Sequence, residues 1–269
     1  MAERELRDLI ILIKGGGEMA SGVAQRLVRS GFRVCLTEIA EPLAVRRAVS
    51  FCEAVFAGRT EIEGLIGRRV TGIEEVRRSW EEGEVPIVVD PGCAIRTPLA
   101  PAVVVDAILA KRNTGTAPGD APLVIGLGPG FYAGRDVHVV IETNRGHRLG
   151  RVIDEGEAEP DTGIPGDIGG YTEERVLRAP AGGTFRGMKR IGERIEKGEV
   201  VAEVGGVPLA AAISGVLRGI LHDGLIADAD MKVADVDPRG VREHCLTVSE
   251  KARAIGGAVL EAVMRKYNR

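Results

Sequence analysis

The residues best placed for nucleotide chemistry lie near the N-terminus of the sequence. Gly15 and Gly17 follow a short apolar run, Ala20 and Ser21 come next, and Glu38 ends the following apolar run. Glycines in such a turn let a phosphate approach the backbone without a Cβ in the way. An acid after the second strand can accept hydrogen bonds from a ribose. We therefore expect these five residues to bind a cofactor.

The elements around these residues agree with that expectation. Residues 9–13 predict a strand buried on both faces, the next segment has helical spacing, and "FRVCLTE" predicts a second strand. The glycine spacing from Gly17 to Gly22 also fits a P-loop, but Val23 and Ala24 stand where Lys and Ser or Thr would be needed, which excludes that class of NTPase. The alternative is that the glycines serve packing alone.

Two later strand ends carry further candidates for the same site. "VPIVVDPGC" places Asp90 and Cys93 after a predicted strand, and "APLVIGLGPGF" ends in Gly126, Gly128 and Gly130. Open α/β sheets bind ligands at the carboxyl ends of their strands. We expect Asp90 and the three glycines to face the first turn across one crevice. Cys93 has a thiolate role or is an unreactive thiol, and the sequence favours the second because no base is adjacent.

Charged residues of the following segment are candidates for binding anions or metals. Lys111, Arg145 and His147 are the candidates for contacting an anion. His138 and Glu142 share the parity of one strand face and, with His147, form the candidate metal set. Because imidazoles held by backbone groups are the commoner arrangement, we expect no metal site.

The segment of residues 40–58 predicts a second helix. Its apolar stripe places Cys52 in the core, and Arg46 and Arg47 are expected on a solvated helix face, with a phosphate contact as the alternative.

The chain divides by pattern into four parts. Residues 1–154 predict a Rossmann-like nucleotide-binding domain with a parallel α/β sheet, 155–172 a Gly/Pro-rich connector, 173–240 a small all-β module, and 241–269 a C-terminal helix. Gly256 and Gly257 inside that helix suit close packing against another helix or subunit, so we expect a homo-oligomer.

The β module resembles the biotinyl/lipoyl-type barrel-sandwich family. The resemblance is carried by "APAGGTF", "IGERIEKGEVVAEV" and "AAISGVLRGIL". In that family a lysine at a tight hairpin carries the cofactor, whereas the matching hairpin here, residues 204–207, is Val-Gly-Gly-Val. We expect the shape without biotin or lipoate.

The composition narrows the class of partner. The chain has 269 residues, a net charge of -3 and 3% aromatic residues, which disfavours nucleic acid and anionic membranes as partners. No apolar run has the length of a membrane span, the charged start disfavours a signal peptide, and four scattered cysteines suit a reducing cytoplasm.

Four stretches together resemble the YqeB-type proteins of the selenium-dependent molybdenum hydroxylase system. They are "IKGGGEMASGVAQRLVRSGFRV", "APLVIGLGPGFYAGRDVHVVIETNRGHRLGRVI", "DTGIPGDIGGY" and "KVADVDPRG" with "KARAIGGAVLEAV". The resemblance implies an accessory protein for maturation of molybdenum hydroxylases such as purine or xanthine dehydrogenases, with the hydroxylase as client. It carries over no catalytic residue.

Three functions follow. The first is a maturation factor that holds a nucleotide or a nucleotide-bearing molybdenum cofactor at the glycine turn. The second is an NAD-dependent oxidoreductase, with Glu38 repelling the 2′-phosphate of NADP; the sequence has no Tyr-x-x-x-Lys proton-donor pair. The third is a non-catalytic binding scaffold.

Overall fold

The computed structural model describes residues 6–268 and forms two compact units. The first contains the described residues up to Pro42, Phe51–Asp161 and the described residues from Val248 onward; the second contains Leu43–Ser50 and Thr162–Thr247. The outer limits of the predicted domains, residues 1 and 269, lie outside the described residues. The division differs from the predicted one at three places, because the final helix joins the first unit, residues 43–50 join the second, and the units divide after Asp161, within the predicted connector.

The strands and helices of the first unit come in three segments of the chain. The first two segments contain β1 (Ile10–Lys14), α1 (Glu18–Arg29), β2 (Arg33–Glu38), α2 (Ala54–Ala57), β3 (Arg59–Ile62), β4 (Leu65–Val70), α3 (Ile73–Glu81), β5 (Val85–Val89), α4 (Arg96–Leu99), β6 (Val103–Asp106), β7 (Leu123–Leu127), β8 (Tyr132–Ala133), β9 (Val139–Ile141), β10 (Val152–Ile153) and β11 (Gly156–Glu157). The second unit contains β12 (Val176–Arg178), β13 (Gly183–Gly187), β14 (Arg194–Ile195), β15 (Val200–Val204), β16 (Val207–Ala210), β17 (Gly215–Ile220), β18 (Ile226–Ala227), β19 (Lys232–Asp237) and α5 (Glu243–Leu246). The last helix, α6 (Glu250–Tyr267), returns to the first unit.

The first unit is built on a nine-stranded sheet with the order β10-β9-β7-β6-β1-β2-β5-β4-β3. The strands from β4 to β9 along this order pair in parallel, and β3 and β10 add antiparallel edges. Strands β1, β2, β5, β6, β7 and β9, numbered one to six along the chain, lie in the order 3-2-1-4-5-6, as in dinucleotide-binding sheets. The predicted mixed α/β fold with a large sheet is confirmed, and the strand order reverses between β1 and β6.

The core of this unit follows from the apolar strand β1. Ile11 and Ile13 face one layer, which α1 and α6 cover, and Leu12 faces the other; all three are fully buried. A strand with helices or chain on both faces needs an uninterrupted apolar run, which is what the sequence has. The sheet therefore places the carboxyl end of β1 at its centre.

Helix α6 packs closely on α1 through glycines. A Cβ on Gly22 would lie 2.7 Å from the Cβ of Ala252, and a Cβ on Gly256 would lie 2.7 Å from the carbonyl oxygen of Gly22. The far end of α6 is fixed where the Tyr267 hydroxyl donates to the Ala102 carbonyl, 2.8 Å away, just before β6 begins. Gly256 thus serves packing within this chain, so the observation behind the expected homo-oligomer is accounted for without a second copy.

The second unit consists of two four-stranded antiparallel sheets. Their orders are β12-β19-β17-β14 and β16-β15-β13-β18. The hairpin between β15 and β16 turns through Gly205 and Gly206, whose φ angles are 58° and 82°. Two successive positive φ angles are the geometry of the tightest hairpin turns, and glycine adopts them without strain.

The predicted second helix over residues 40–58 is wrong. Only Ala54–Ala57 is α-helical, and residues 43–50 are largely irregular. The carbonyl oxygen of Val45 accepts a hydrogen bond from the Ile220 amide at 2.8 Å, and Arg46 is 7% exposed instead of solvated. Hydrogen bonds to β17 replace those that a helix would have made, so tertiary structure overrides the helical pattern.

Within residues 6–268, none of the helices combines the length and the apolar character that crossing a bilayer requires.

Candidate functional site

The glycine turn after β1 is held by its neighbours on the sheet. The Gly15 amide donates to the Thr37 carbonyl at 2.8 Å, and its φ of 96° requires glycine. A Cβ there would also lie 3.1 Å from the carbonyl oxygen of Ala107, which follows β6. The predicted role of Gly15 in the turn has a structural reason, because the backbones of β1 and β6 approach each other at this point.

At Gly17, in contrast, neither the backbone angles nor the packing require glycine. It is the N-cap of α1, with φ −68° and ψ −176°, values open to any residue. A Cβ built on it meets no atom within 4 Å, and no side chain caps the helix there. The first amides of a helix have no partner inside the helix and carry partial positive charge. The N-terminus of α1 therefore presents amide donors that have no partner within the helix, beside an open position.

Glu38 lies against the turn, as the sequence predicts. One carboxylate oxygen accepts from the Gly16 amide at 2.8 Å and the other from the Ile39 amide at 2.8 Å. Burial raises the pKa of this carboxyl, although the two amide hydrogen bonds favour its ionised form. Each oxygen of a carboxylate has a second lone pair, so Glu38 can still accept from a sugar hydroxyl.

Ala20 and Ser21 lie on the buried side of the turn and do not face its open side. Both are fully buried. The Ser21 hydroxyl donates to the Gly16 carbonyl at 3.2 Å and accepts from the Phe51 amide at 2.8 Å. Their position explains a role in shaping the turn, with no side-chain atom left for a ligand.

A buried polar triad at the strand-order reversal was missed by sequence reasoning. The Lys14 ammonium, at the end of β1, donates to the Thr116 hydroxyl at 2.5 Å and lies 3.2 Å from the Asp106 carboxylate at the end of β6. The Thr116 hydroxyl donates to Asp106 at 2.5 Å. All three residues are at most 8% exposed. The sequence feature that could have predicted this triad is a charged residue at the end of each of two apolar strands, Lys14 and Asp106.

Asp90 and Cys93 lie at the neighbouring end of β5. The Asp90 carboxylate accepts from the Ile95 amide at 2.8 Å, so it organises its own loop. Cys93 is half-buried and has a φ of 57°. Burial, more than any other influence, raises the pKa of this thiol. A protonated, half-buried thiol agrees with the unreactive alternative and not with a thiolate nucleophile.

The second glycine turn, after β7, is accounted for by packing. A Cβ on Gly126 would lie 2.6 Å from the Phe131 ring, and one on Gly128 would lie 2.5 Å from the Thr143 hydroxyl oxygen. A Cβ on Gly130 would lie 2.6 Å from the Arg112 amide nitrogen. These glycines let the chain close on itself, so packing alone accounts for them, and their role in a second half of the phosphate site stays a prediction.

Two of the three predicted anion-binding side chains are already paired with acids. Lys111 pairs with Asp161 at 2.6 Å, and Arg145 is ion-paired with Glu250. His147 is exposed and lines an open cavity of about 550 Å³ with Arg148 and Arg151.

The candidate metal set is not assembled. His138 accepts the Val124 amide through Nδ1 at 2.9 Å, and Glu142 accepts the amides of Asn144 and Glu159 at 2.7 and 2.8 Å. Across residues 6–268, no three His, Cys, Asp or Glu side chains are grouped to hold a metal ion.

Comparison with known proteins gives one close sequence relative. The chain is 48% identical over 255 residues, 95% of its length, to the uncharacterized protein YqeB of Escherichia coli K12. It spans 47% of that protein. No protein-family model matches the chain.

Solved structures give only distant likenesses. A product-bound ectoine utilization protein EutE (DoeB) from Ruegeria pomeroyi is 15% identical, covers 85% of both chains and has a TM-score of 0.27. An aspartoacylase family protein from Mesorhizobium loti is 13% identical, with 85% of both chains covered and a TM-score of 0.28. Likenesses this low transfer neither fold nor activity.

Proposed function

Because the chain belongs to the YqeB-type family along 95% of its length, we propose that it acts as that family's nucleotide-binding accessory segment. In this proposal an anionic nucleotide binds at the turn between β1 and α1. The observation that supports it best is Gly17: neither its backbone angles nor its packing require glycine, yet it opens the N-terminus of α1 beside Glu38. A ligand that approaches the backbone would require it.

The strand order adds independent support. The turn follows the central strand of a 3-2-1-4-5-6 sheet, beside the reversal where open α/β sheets bind ligands. Glu38 then accepts the ribose hydroxyls, while the amides of α1 hold a phosphate.

Isothermal titration calorimetry with NAD, NADP, ADP and isolated molybdopterin cofactor tests the ligand. We expect NAD or the molybdopterin cofactor to bind and NADP to bind at least about tenfold more weakly than NAD, since Glu38 repels a 2′-phosphate. Absence of binding by all four ligands would contradict the proposal.

The accessory role is maturation of molybdenum hydroxylases, as the YqeB-type resemblance implies. The nucleotide at the turn would be part of a nucleotide-bearing molybdenum cofactor on its way to a client hydroxylase. Since the chain spans 47% of its relative, the experiment should be run both with this chain and with that relative. Tagged protein purified from its own host should retain a molybdenum-containing ligand or a hydroxylase subunit, both detectable by native mass spectrometry.

The position of Glu38 also supports a second candidate, an NAD-dependent oxidoreductase. Its carboxylate stands where dinucleotide enzymes that use NAD place an acid. Reduced nicotinamide fluorescence tests the oxidoreductase: an unchanged signal on mixing with protein removes it, whereas an enhanced signal shows only that the nicotinamide binds, which both candidates allow.

For the second unit we propose an unmodified barrel-sandwich module that docks the client. Its two small antiparallel sheets and the tight Gly205–Gly206 turn support the shape, and the absence of lysine in that turn supports the lack of modification. An intact mass with biotin or lipoate attached would contradict it.

A further inference from the structure

Two large apolar side chains of the first unit are exposed, Ile39 at 42% and Ile108 at 43%. Every other large apolar side chain among the described residues of that unit is more covered. A single exposed apolar residue is ordinary on a protein surface. Two that flank the same turn are candidates for contacting the apolar part of a ligand, because binding sites combine apolar walls with a few polar groups.

The strand register places Ile39 and Ile108 on opposite sides of the glycine turn. Strand β1 lies between β2 and β6, and its last residue is level with Thr37 on one side and with Asp106 on the other. Ile39 and Ile108 each come two positions after that level. One isoleucine therefore follows each of the two strands that flank β1, and the turn lies between them.

Hydrogen bonds hold the backbone of Ile39 next to the turn. Its amide donates to one oxygen of the Glu38 carboxylate at 2.8 Å. The other oxygen of the same carboxylate accepts from the Gly16 amide at 2.8 Å. A single carboxylate thus links Ile39 to the turn, while the isoleucine side chain stays exposed.

The backbone of Ile108 is held against the other side of the turn in a similar way. Its amide donates to the Asp106 carboxylate at 3.2 Å. That carboxylate is itself fixed by the buried Lys14 and Thr116 side chains. A Cβ on Gly15 would lie 3.3 Å from the Cα of Ile108, so the two backbones are in contact. Both isoleucines are therefore fixed beside the turn before any ligand binds.

The spacing of the strands leaves room for one flat ring between the two side chains. Neighbouring strands lie about 4.8 Å apart, so the segments that follow β2 and β6 are separated by about 10 Å. A ring that touches a carbon atom on each face needs about 7–8 Å between those two atoms. Methyl groups that project from backbones about 10 Å apart can provide this separation.

We propose that Ile39 and Ile108 contact the two faces of the flat base of the ligand whose phosphate lies at the start of α1. This inference rests on the proposed nucleotide site and names its ligand class, a nucleotide with a purine or pterin base. Glu38, which binds the Ile39 amide, accepts from the sugar between base and phosphate. Burial of both side chains against the base removes apolar surface from water, so ligands with a base bind more tightly than sugar phosphates.

The first test compares wild type with Ile39→Ala and Ile108→Ala. The matched control is Ile226→Ala, because Ile226 is a 63% exposed isoleucine of the second unit. In chemical-shift titrations, which also measure weak binding, each of the two test variants should bind ADP about five- to tenfold more weakly than wild type. Both should bind ribose 5-phosphate within about twofold of wild type, and the control should bind both ligands like wild type.

Two results of this comparison would overturn the inference. One is an unchanged ADP affinity in both test variants, which would show that the isoleucines do not contact the base. The other is an equal loss for ADP and ribose 5-phosphate, which would show that the isoleucines only support the phosphate site.

The methyl signals of the two isoleucines test the contact in the wild-type protein. An aromatic ring shields nuclei above its faces, so adenosine or neopterin should move the δ1-methyl signals of Ile39 and Ile108 upfield, whereas ribose 5-phosphate should leave them in place. Ile39→Val and Ile108→Val each lack one δ1-methyl group and so identify the two signals. The compound that saturates the shift at the lower concentration identifies the preferred ring, and no movement with either compound would overturn the inference.

The same spectra separate this inference from the proposed function. If the methyl signals move with adenosine or neopterin while the amides of Gly17 and Glu18 respond to no phosphate ligand, the phosphate site fails and the base contact stands. If ADP moves those amides and leaves both methyl signals in place, the nucleotide site stands and the inference fails.

Discussion

At the scale of single residues, Gly17 and Glu38 carry the proposed site. Sequence patterns could find both, because a turn, a helix start and an acid at the end of the next strand lie close together along the chain. The Lys14–Asp106–Thr116 triad could not be found in this way, since Lys14 and Thr116 are 102 positions apart. Only the pairing of β1 with β6 brings them together.

Gly17→Asp should weaken ligand binding and leave the fold intact. The new Cβ meets no atom, and aspartate is a favourable N-cap, so the thermal midpoint should stay level or rise slightly. Its carboxylate would occupy the open amides and repel a phosphate, and we expect affinity to fall about tenfold or more by calorimetry.

The matched control is Gly72→Asp. Gly72 is the N-cap of α3, also without a side-chain cap and without atoms near its Cβ. This variant should bind ligand like wild type. Equal loss in both variants, or no loss in either, would contradict a site at α1.

Glu38 should make stability depend on pH. Burial raises its pKa above the ordinary value of 4.5, so folding favours the protonated carboxyl. The corresponding stabilisation is present below pH 4.5 and is lost as the pH rises through the folded-state value. Urea unfolding across this range should show the stability of wild type falling relative to Glu38→Gln as the pH increases. A constant difference would show that burial does not control this carboxyl.

At the scale of elements, the contact between α1 and α6 gives Gly256 and Gly257 different roles, which the sequence could not distinguish. A Cβ on Gly256 would clash with the Gly22 carbonyl, whereas a Cβ on Gly257 meets nothing within 4 Å. Gly256→Ala should therefore destabilise by about 1–3 kcal/mol. Gly257→Ala should stabilise by about 0.5–1 kcal/mol through helix propensity. Urea unfolding of the two variants measures both, and effects of the same sign would contradict this packing.

The prediction of a second helix over residues 40–58 is wrong for a physical reason that also concerns an element. Its pattern is helical, but Arg46 donates to the carbonyl oxygens of Arg218, His244 and Thr247 at 3.0–3.4 Å. These partners lie more than 170 positions away along the chain. No local propensity could predict them.

Arg46→Ala should destabilise the second unit strongly. It would leave the buried carbonyl of Arg218 and the part-buried carbonyls of His244 and Thr247 without their donor, and we expect a loss of about 2–4 kcal/mol in urea unfolding. Arg186→Ala, which removes an exposed arginine from β13, should change stability by no more than about 0.5 kcal/mol. A small effect of Arg46→Ala would mean that residues 43–50 are held by other contacts.

At the scale of the whole molecule, the chain forms two units with different sheet types. The change from long apolar strands to short runs separated by glycines predicted two architectures, and both the large mixed sheet and the two small antiparallel sheets are present. The sequence could not show that the chain contributes two separate segments to the second unit, Leu43–Ser50 and Thr162–Thr247, and returns to the first unit at Val248. Such returns depend on packing between segments far apart in the chain.

The central claim is that a nucleotide phosphate binds the amides at the start of α1. The most direct measurement is a titration of ¹⁵N-labelled protein with the dinucleotide identified by calorimetry, followed through the amide signals of Gly17 and Glu18. These two signals should shift progressively and saturate, while that of Gly72 at the start of α3 stays in place. If Gly17 and Glu18 do not respond while signals elsewhere do, the ligand binds at another place and the claim is wrong.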